Sequence, residues 1–327
     1  MMKKVLGIGN ALVDIMIKID DDQLLNDLEL PKGSMQLVDK ERSERVLSAT
    51  KNIENELKSG GSAANTITGL AELGIETSFI AKISEDKMGE VFRNDLINSN
   101  IQPKLLYSNT GTGTAVTLIS KDSERTFATH LGASVELSAA DLTNELFTGA
   151  DLFYIEGYLV QNHDLLEKAV SLAKMHNQKI FLDLASYNVV EENIDFLKHI
   201  LANYVDVVFA NEEEAKAISG KEPHEAILDL ANYCEIAVVK IGKKGSLILT
   251  NEQLTEVGII GVKSIDTTGA GDLYAAGFIY GYAHQASMEI CGQLGSLLSG
   301  NVIENIGAKI NSEKWPGILK TADKLLM

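Results

Sequence analysis

Strand-like and helix-like segments alternate along the second half of the chain, and this alternation is the strongest constraint on its fold. Short apolar runs fit strands, and the amphipathic stretches between them fit helices. The predicted strands cover residues 151–156, 180–184, 205–210, 237–241 and 246–250, and the predicted helices cover 163–175, 194–203, 212–218 and 222–233. This order predicts a parallel sheet with helices on both faces.

The first part of the chain has a different pattern. Residues 5–9 fit a first strand of the core, whereas residues 14–20 alternate between apolar and polar positions and fit a half-buried strand. Residues 40–58 carry charges with apolar residues at helical spacing, which predicts an exposed helix. Two β-rich runs, 114–120 and 125–130, flank a polar turn and predict a hairpin.

These patterns predict one large α/β core with a small β sheet inserted into it. The core is expected to comprise residues 1–12, 41–105 and 135–327, and the inserted sheet residues 13–40 and 106–134. A discontinuous β insertion beside an α/β core is suited to act as a lid over a cleft.

The composition restricts the kinds of molecule that the protein is expected to bind. A formal net charge of −17 disfavours binding to nucleic acid or to anionic membranes. Cys234 and Cys291 are isolated, which favours a reducing compartment over a disulfide framework or a structural zinc site. No segment approaches the length of a membrane span. A cytoplasmic location is therefore expected.

Residues 266–272, Asp-Thr-Thr-Gly-Ala-Gly-Asp, form the densest chemical signal. The backbone amides of Gly269, Ala270 and Gly271 can point at an anion where the following helix begins. An acid at a helix start also serves as a cap, but Asp272 stands beside the anion site that these residues create. Phosphoryl transfer needs donors for the spreading charge and a carboxylate for the proton of the attacking hydroxyl. Asp272 is therefore predicted to be the catalytic base.

This segment, with Ala-Ala-Gly-Phe at 275–278, resembles the second signature of the ribokinase family, also called the PfkB carbohydrate kinases. Residues 60–65 (Gly-Gly-Ser-Ala-Ala-Asn) resemble its first signature, residues 211–215 its NxxE motif, and residues 242–245 its nucleotide-loop glycines. The motifs occur in order over essentially the whole chain. The resemblance implies an α/β, ribokinase-like three-layer sandwich with a central, mostly parallel sheet and a small β-sheet lid. It also implies ATP-dependent phosphorylation of an alcohol group.

The resemblance further assigns residues to the substrate. It implies that Asp14 binds a substrate hydroxyl and that Gly60, Gly61 and Asn65 shape the pocket. Paired glycines allow close backbone approach, and Asn65 offers a donor and an acceptor to a diol. The alternatives are an ordinary turn before a helix for the glycines and a plain strand-end acid for Asp14.

The nucleotide and the metal are assigned in the same way. The resemblance implies that Asn211 and Glu214 organise water-bound Mg²⁺ near the phosphates of ATP, although acids at a helix start also compensate its dipole. It places Lys240, Gly242, Gly245 and Thr268 at the nucleotide.

A second cation is implied by the loop that precedes the anion turn. Asp266 and Thr268 resemble the monovalent-cation loop of the family, which implies a K⁺ ion there. Carbonyls near Val302, Asn305 and Gly307 would complete the site.

Several segments point to the acceptor. Residues 20–25, 32–39 and 130–133 resemble the adenosine-kinase-like branch of the family. Met35 is a candidate apolar wall and Tyr158 a candidate stacking face for a purine, with core packing as the alternative for each. Arg125, in the predicted hairpin, either closes on the phosphates or is solvated.

Three hypotheses for the function follow. The first is a kinase of adenosine or a related nucleoside, and the second is a sugar kinase acting on a ribose-, fructose- or ketodeoxygluconate-type substrate. The third is a nucleotide-binding regulator without turnover. In each case the expected partners are small molecules, and the chain is expected to be a monomer or a homodimer.

Overall fold

The computed structural model describes residues 3–122 and 124–327 and contains two β sheets. The strands are β1 (Val5–Ile8), β2 (Leu12–Lys18), β3 (Met35–Leu37), β4 (Asn55–Gly60), β5 (Thr77–Ser84), β6 (Ile101–Ser108), β7 (Gly113–Ile119), β8 (Arg125–His130), β9 (Leu152–Glu156), β10 (Lys179–Asp183), β11 (Val207–Asn211), β12 (Ile236–Lys240), β13 (Ser246–Thr250) and β14 (Gln253–Val257). The α-helices are α1 (Gln23–Asp27), α2 (Lys40–Thr50), α3 (Ser62–Glu72), α4 (Lys87–Asn98), α5 (Asn144–Phe147), α6 (His163–Met175), α7 (Tyr187–Glu192), α8 (Ile194–Tyr204), α9 (Glu212–Ser219), α10 (Pro223–Leu230), α11 (Ala270–Ala283), α12 (Met288–Val302) and α13 (Trp315–Leu326).

The larger sheet has the strand order β14-β13-β12-β11-β10-β9-β1-β5-β6. From β12 to β6 every strand runs parallel to its neighbours, which confirms the predicted parallel sheet. At the other end β12, β13 and β14 are antiparallel. The reason is the connection, because only a short turn at Gly242–Lys244 separates β12 from β13, too short for a crossover helix. Strands β6 and β14 were not predicted from the sequence.

Helices cover both faces of the larger sheet. Alternate residues of its strands point to opposite faces, so Phe181 of β10 packs in one hydrophobic core while Ile180 and Leu182 pack in the other. The first core includes residues of α3, α11 and α12, and the second includes residues of α6, α8, α9 and α10. The predicted three-layer sandwich is confirmed.

The smaller sheet has the strand order β3-β8-β7-β2-β4. Strands β7 and β8 form the predicted hairpin. The alternation predicted for the second strand is also present, because Val13, Ile15 and Ile17 of β2 are buried and the residues between them are not. The division of the chain into a core and a lid stays a prediction.

The membership of the smaller sheet differs from the prediction. Residues 106–108, predicted to lie in the inserted sheet, belong to β6 of the larger sheet. The helix predicted over residues 40–58 ends at Thr50, and Asn55–Gly60 forms β4, which pairs antiparallel with β2. Residues 55–60 were assigned to the core, within 41–105. Strand β4 lies at the edge of its sheet, so its charged residues remain in water. In the sequence, charged residues at such positions cannot be distinguished from the polar face of a helix.

A turn separates the two long helices near the end of the chain. Helix α11 ends at Ala283, Gln285 has a φ angle of +60°, and Ser287 caps the start of α12 by accepting a hydrogen bond from the amide of Ile290. In the described residues, every helix is too short or too polar to cross a membrane.

Among the segments that connect the two sheets, two are called the crossings here because they lie beside the carboxyl end of β1. The first is formed by residues 9–11, which lead from β1 into β2. The second is Gly61, which joins β4 of the smaller sheet to α3 of the core. Ligands of open α/β sheets bind outside the carboxyl ends of the strands, so this junction is where a site is expected.

Candidate active site

The two predicted signatures meet at the carboxylate of Asp272. Ser62 donates from Oγ to Oδ1 of Asp272 over 2.7 Å, and Asn65 donates from Nδ2 to Oδ2 over 2.9 Å. Burial raises the pKa of Asp272 to about 6, against the effect of these two hydrogen bonds, which stabilise the charged form. The sequence predicted a role for Asn65 but did not single out Ser62.

The turn before Asp272 presents free backbone donors. Gly269 has a φ angle of +75°, and a Cβ atom there would come within 2.7 Å of Ala308, so the turn requires glycine. The amides of Gly269, Gly271 and Asp272 donate to no acceptor in the described residues. The amide of Ala270, predicted to point at an anion, donates instead to the carbonyl of Thr267 over 3.1 Å, because the turn closes there.

Asp14 lies on β2 with its carboxylate against the backbone of Gly60. A Cβ atom at Gly60 would lie 2.5 Å from both carboxylate oxygens, so any larger residue would displace Asp14. Burial raises the pKa of Asp14 to about 6, while the charges of Lys309 and Arg125 oppose that shift. Gly61 has a φ angle of +103°, which favours glycine at this crossing.

A buried carboxylate that the sequence analysis missed fixes both crossings. Glu156 accepts hydrogen bonds from the backbone amide of Asn10 at 3.0 Å, from its Nδ2 atom at 2.5 Å and from the amide of Ala63 at 3.0 Å. Burial raises the pKa of Glu156 to about 7. The residue therefore holds the start of α3 beside the chain that leads into β2.

A cavity of about 790 Å³ opens beside these residues. Asn10, Ser62 and Glu156 line one end, and the predicted contacts Met35 and Tyr158 are also in its wall. Further apolar side chains complete much of the lining, among them Leu37, Leu131, Val135 and Leu137. Among the described residues no lysine or arginine lines this cavity. The cavity thus suits a neutral, partly apolar ligand.

Asn211 and Glu214 bind each other at the start of α9. The Oδ1 atom of Asn211 accepts from the amide of Glu214 at 2.8 Å, and Glu214 accepts from the amide and the Nδ2 atom of Asn211, both at 2.7 Å. Burial raises the pKa of Glu214 to about 7, and the neighbouring Asp183 carboxylate adds to the shift. Two donors leave about two of the four lone-pair positions of this carboxylate free.

Lys240 lies beneath the anion turn. Its Nζ atom is 2.8 Å from Oδ2 of Asp183 and 3.1 Å from the position that a Cβ atom of Gly271 would occupy. Burial opposes the charge of Lys240, but the carboxylates of Asp183 and Glu214 raise its pKa overall. The positively charged side chain beside the turn is thus that of Lys240, which was predicted to bind the nucleotide. Its partner Asp183 was missed.

The predicted nucleotide-loop glycines form the turn between β12 and β13. Gly242 and Gly245 have φ angles of +54° and +100°, and a Cβ atom at Gly245 would collide with the backbone of Val257. The turn therefore requires glycine at the second position for a packing reason, whether or not a nucleotide contacts it.

Arg125 is neither solvated nor free. Its Nη1 atom lies 2.8 Å from Oδ2 of Asp266 and donates to Oγ1 of Thr268 over 3.1 Å. The side chains of Arg125 and Asp266 are only 10% and 13% exposed. The alternative of a solvated arginine is therefore wrong.

The predicted monovalent-cation site does not fit the donors around Asp266. Its Oδ1 atom accepts from the amide of Thr268 at 3.1 Å and from Oγ1 of Thr268 at 2.7 Å. Its Oδ2 atom accepts from the amide of Gly307 at 2.7 Å and forms the ion pair with Arg125. The carbonyl of Val302, another predicted ligand, accepts from the amide of Asn305 at 3.0 Å. The contacts of Asp266 and Val302 therefore do not fit a K⁺ site.

Three of the residues that the sequence analysis missed share one position in the fold. Asn10 follows the end of β1, Glu156 is the last residue of β9 and Asp183 is the last residue of β10. The predicted residues Asn211 and Lys240 end β11 and β12 in the same way. A polar residue at the carboxyl end of each predicted parallel strand was the signal that could have identified them.

Comparisons with known proteins agree with this geometry. Residues 33–315 match the profile of the pfkB family carbohydrate kinase. An adenosine kinase from Sinorhizobium meliloti is 32% identical, with a TM-score of 0.86 over 99% of both chains. A probable sugar kinase protein from Rhizobium etli CFN 42 is 31% identical, with a TM-score of 0.87 over 100% of both chains. A 5-dehydro-2-deoxygluconokinase from Lacticaseibacillus casei is 26% identical over 79% of this chain and 83% of its own length. The family predicted from the four motifs is confirmed: the chain belongs to the PfkB family of carbohydrate kinases and is an ATP-dependent kinase.

Proposed function

We propose that this kinase phosphorylates the hydroxymethyl group of an adenosine-like nucleoside, with Asp272 as the base. The observation that carries the proposal is the position of Asp272. Ser62, which lines the cavity, donates to its carboxylate, and free backbone amides lie directly before it. A hydroxyl at the Ser62 end of the cavity would therefore meet both a proton acceptor and a site for an anion.

Each residue at the transfer position then has a distinct task. ATP, when bound, supplies the phosphoryl group. Asp272 takes the proton of the acceptor hydroxyl, and its pKa of about 6 leaves it ionised at neutral pH. The free amides of Gly269 and Gly271 and the Nζ atom of Lys240 stabilise negative charge that develops at the turn.

The acceptor is held by the residues at the two crossings. Asp14 and Asn65 offer hydrogen-bonding groups to a diol such as the hydroxyls of a ribose. Gly60 and Gly61 let the backbone approach the sugar, because neither position can carry a side chain without displacing Asp14 or straining the chain. Met35 and Tyr158 are proposed to contact the base, since both line the cavity.

The charges around the cavity favour a neutral nucleoside over a sugar acid. A gluconate-type acceptor, as in the name of the Lacticaseibacillus casei relative, carries a carboxylate that needs a cationic partner. The described lining of the cavity offers Glu156, Asp164 and Glu192 but no lysine or arginine. The positive charges of Arg125 and Lys309 lower the pKa of Asp14. These charges lie at the end of the site where the phosphoryl group would arrive.

The size and lining of the cavity also favour a nucleoside over a sugar as the acceptor. A volume of about 790 Å³ is in the upper part of the range for pockets that hold a drug-sized ligand, and a single hexose would leave much of it unfilled. The apolar wall formed by Leu131, Val135 and Leu137 suits a base better than a ring of hydroxyls. A sugar kinase remains the second candidate, favoured by the match to the probable sugar kinase from Rhizobium etli.

Mg²⁺ is proposed to bind through water near Glu214. The free lone pairs of this carboxylate can accept hydrogen bonds from waters of the ion, which Mg²⁺ retains in many sites. No group of three or more His, Cys, Asp or Glu residues is arranged as a metal cage in the described part of the chain. A cytoplasmic location and a monomeric or homodimeric state are retained as proposals.

The experiment is a measurement of ADP release from ATP and Mg²⁺ with a panel of acceptors. Adenosine, inosine, ribose, fructose and ketodeoxygluconate are compared with a reaction that lacks an acceptor, and products are identified by mass spectrometry. We expect nucleosides to stimulate ADP release and to become nucleoside monophosphates. Stimulation by free sugars alone would reject the nucleoside, and ATP binding without stimulation by any alcohol would favour the regulator.

A further inference from the structure

The surroundings of Asp266 carry an inference about how the phosphate turn is held in place. We infer that the guanidinium of Arg125 takes the position of a monovalent cation beside Asp266, so that the smaller sheet and not a bound ion orders the loop leading into the anion turn. The activity and stability of the kinase then do not depend on K⁺. The ordering role depends only on contacts within the chain, and its coupling to the acceptor rests on the proposed function.

The carboxylate of Asp266 is saturated by contacts within the chain. An ionised carboxylate has about four lone-pair positions. Asp266 accepts three hydrogen bonds, two from Thr268 and one from the amide of Gly307, and the guanidinium of Arg125 forms an ion pair with its Oδ2 atom. A K⁺ ion could bind this side chain only by displacing one of them. Glu214, with two donors, is not saturated in this way.

The charge and burial of Arg125 also exclude a second cation beside Asp266. Arg125 lies 2.8 Å from the carboxylate, and both side chains are about nine-tenths shielded from water. A second cation at the same carboxylate would face the guanidinium with little screening from salt. The two cations therefore exclude each other, and the one that is covalently part of the chain is present at any ion concentration.

Arg125 reaches the loop from a fixed position in the smaller sheet. It is the first residue of β8 and pairs with Ile119 of β7, so the hairpin fixes its backbone. From there Nη1 contacts Asp266 and donates to Oγ1 of Thr268, whose hydroxyl donates in turn to Asp266. One side chain of the smaller sheet thus holds the loop immediately before Gly269.

One donor of the same guanidinium is left over. The Nη2 atom of Arg125 is buried and has no partner among the described residues. The positive charge of this guanidinium lowers the pKa of Asp14. Arg125 therefore lies near the end of the site where the acceptor is proposed to bind. A buried donor without a partner is unfavourable until an acceptor oxygen arrives. A phosphoryl or hydroxyl oxygen at the transfer position would satisfy it, and occupancy would then strengthen the link between sheet and loop.

The test compares wild-type protein with Arg125→Met in chloride salts of K⁺, Na⁺ and choline at equal ionic strength. Methionine keeps the apolar stem but removes the charge and frees one lone-pair position of Asp266. Wild-type kcat should change by less than about twofold between the salts, and Tm by less than about 2 °C. In Arg125→Met, kcat should fall, and K⁺ but not choline should restore it by about tenfold or more and raise Tm.

Lys309→Met is the matched control, because Lys309 also acts on Asp14 but makes no contact with Asp266. It should gain no response to K⁺. A wild-type kcat or Tm that rises with K⁺ and saturates would overturn the inference, as would an Arg125→Met protein that folds and ignores K⁺. If Arg125→Met does not fold, the inference is tested by the K⁺ titration of wild type and by Arg125→Lys. Lysine keeps a positive charge at this position, so kcat and Tm of Arg125→Lys should not depend on K⁺. The Tm series remains informative even if no alcohol is phosphorylated, so failure of the proposed function is recognised separately.

Discussion

The Nδ2 atom of Asn65 lies 2.9 Å from the Oδ2 atom of Asp272, although 207 positions separate the two residues in the chain. Ser62 reaches the other oxygen of the same carboxylate. The start of α3 therefore orients the carboxylate at the start of α11. A base that is oriented and largely buried, but still ionised at neutral pH, is suited to take a proton from one defined direction.

Replacing Asp272 tests this role directly. Asp272→Asn keeps the shape of the side chain but cannot accept a proton, so kcat should fall by about 10²–10⁴-fold. The backbone amides of the turn are unchanged, so ATP affinity measured by titration calorimetry should stay within about threefold. Asp323→Asn, at an exposed position of α13, is the control and should behave as wild type. Unchanged turnover in Asp272→Asn would remove the proposed base.

The pH dependence should report two carboxylates. Burial raises the pKa values of Asp272 and Asp14 to about 6, and both are proposed to act in the ionised form. Below pH 6 both become protonated, so kcat/KM, which reports on the free enzyme, should fall with a limiting slope of about two. In Asp14→Asn only Asp272 titrates, and the slope should fall to about one. A slope of one in wild type, or no change in the variant, would contradict the shared role.

The stability should depend on pH through Glu156. Burial raises its pKa from 4.5 to about 7, so between these values the folded state holds a proton that the unfolded state has lost. This group therefore lowers the free energy of unfolding as pH rises from about 4.5 to about 7. The difference in that free energy between wild type and Glu156→Gln should fall over the same window, as measured by urea denaturation. A difference that rises with pH would show that the ionised form is the stabilised one.

Local patterns were sufficient to predict much of the fold. The strands from β9 to β12 are buried on both faces, and their apolar runs showed this in the sequence. Glycine-rich segments were predictable for a related reason, because Gly61 and Gly269 adopt φ angles that few other residues adopt. These are properties of single segments and require no knowledge of what packs against them.

Contacts between distant segments were not predictable. Arg125 and Thr268 are 143 positions apart, and nothing in a lone arginine of a hairpin identifies its partner. Strand β4 was missed for a similar reason, since an edge strand is specified by its neighbour β2 more than by its own residues. Glu156 and Asp183 were accessible to prediction, because each ends a predicted strand on the side where ligands bind.

The backbone at Gly61 provides a test of the crossing. Gly61 and Gly74 both have positive φ angles, but a Cβ atom at Gly61 would collide with the carbonyl of Asn10, whereas one at Gly74 would meet nothing within 4 Å. Gly74→Ala should therefore cost only backbone strain, about 1–2 kcal/mol, and leave KM unchanged. Gly61→Ala should cost more and raise KM for the acceptor by about tenfold or more, because Asn10 and α3 must shift. Equal effects of the two substitutions on KM would show that the crossing does not shape the pocket.

The last prediction separates charge stabilisation by Lys240 from its structural pairing. Lys240→Met leaves the carboxylate of Asp183 buried without its cation, which should lower the free energy of unfolding by about 3–5 kcal/mol. The double variant Lys240→Met with Asp183→Asn removes that uncompensated charge and should recover most of the stability. Turnover should behave differently, because the cation beside Gly271 is absent from both proteins. We expect kcat to stay about 10²–10³-fold below wild type in each of them, as when a donor to transition-state charge is lost. Denaturation and single-turnover rates of the three proteins measure the two effects separately, and a kcat that recovers with stability would reduce Lys240 to a structural residue.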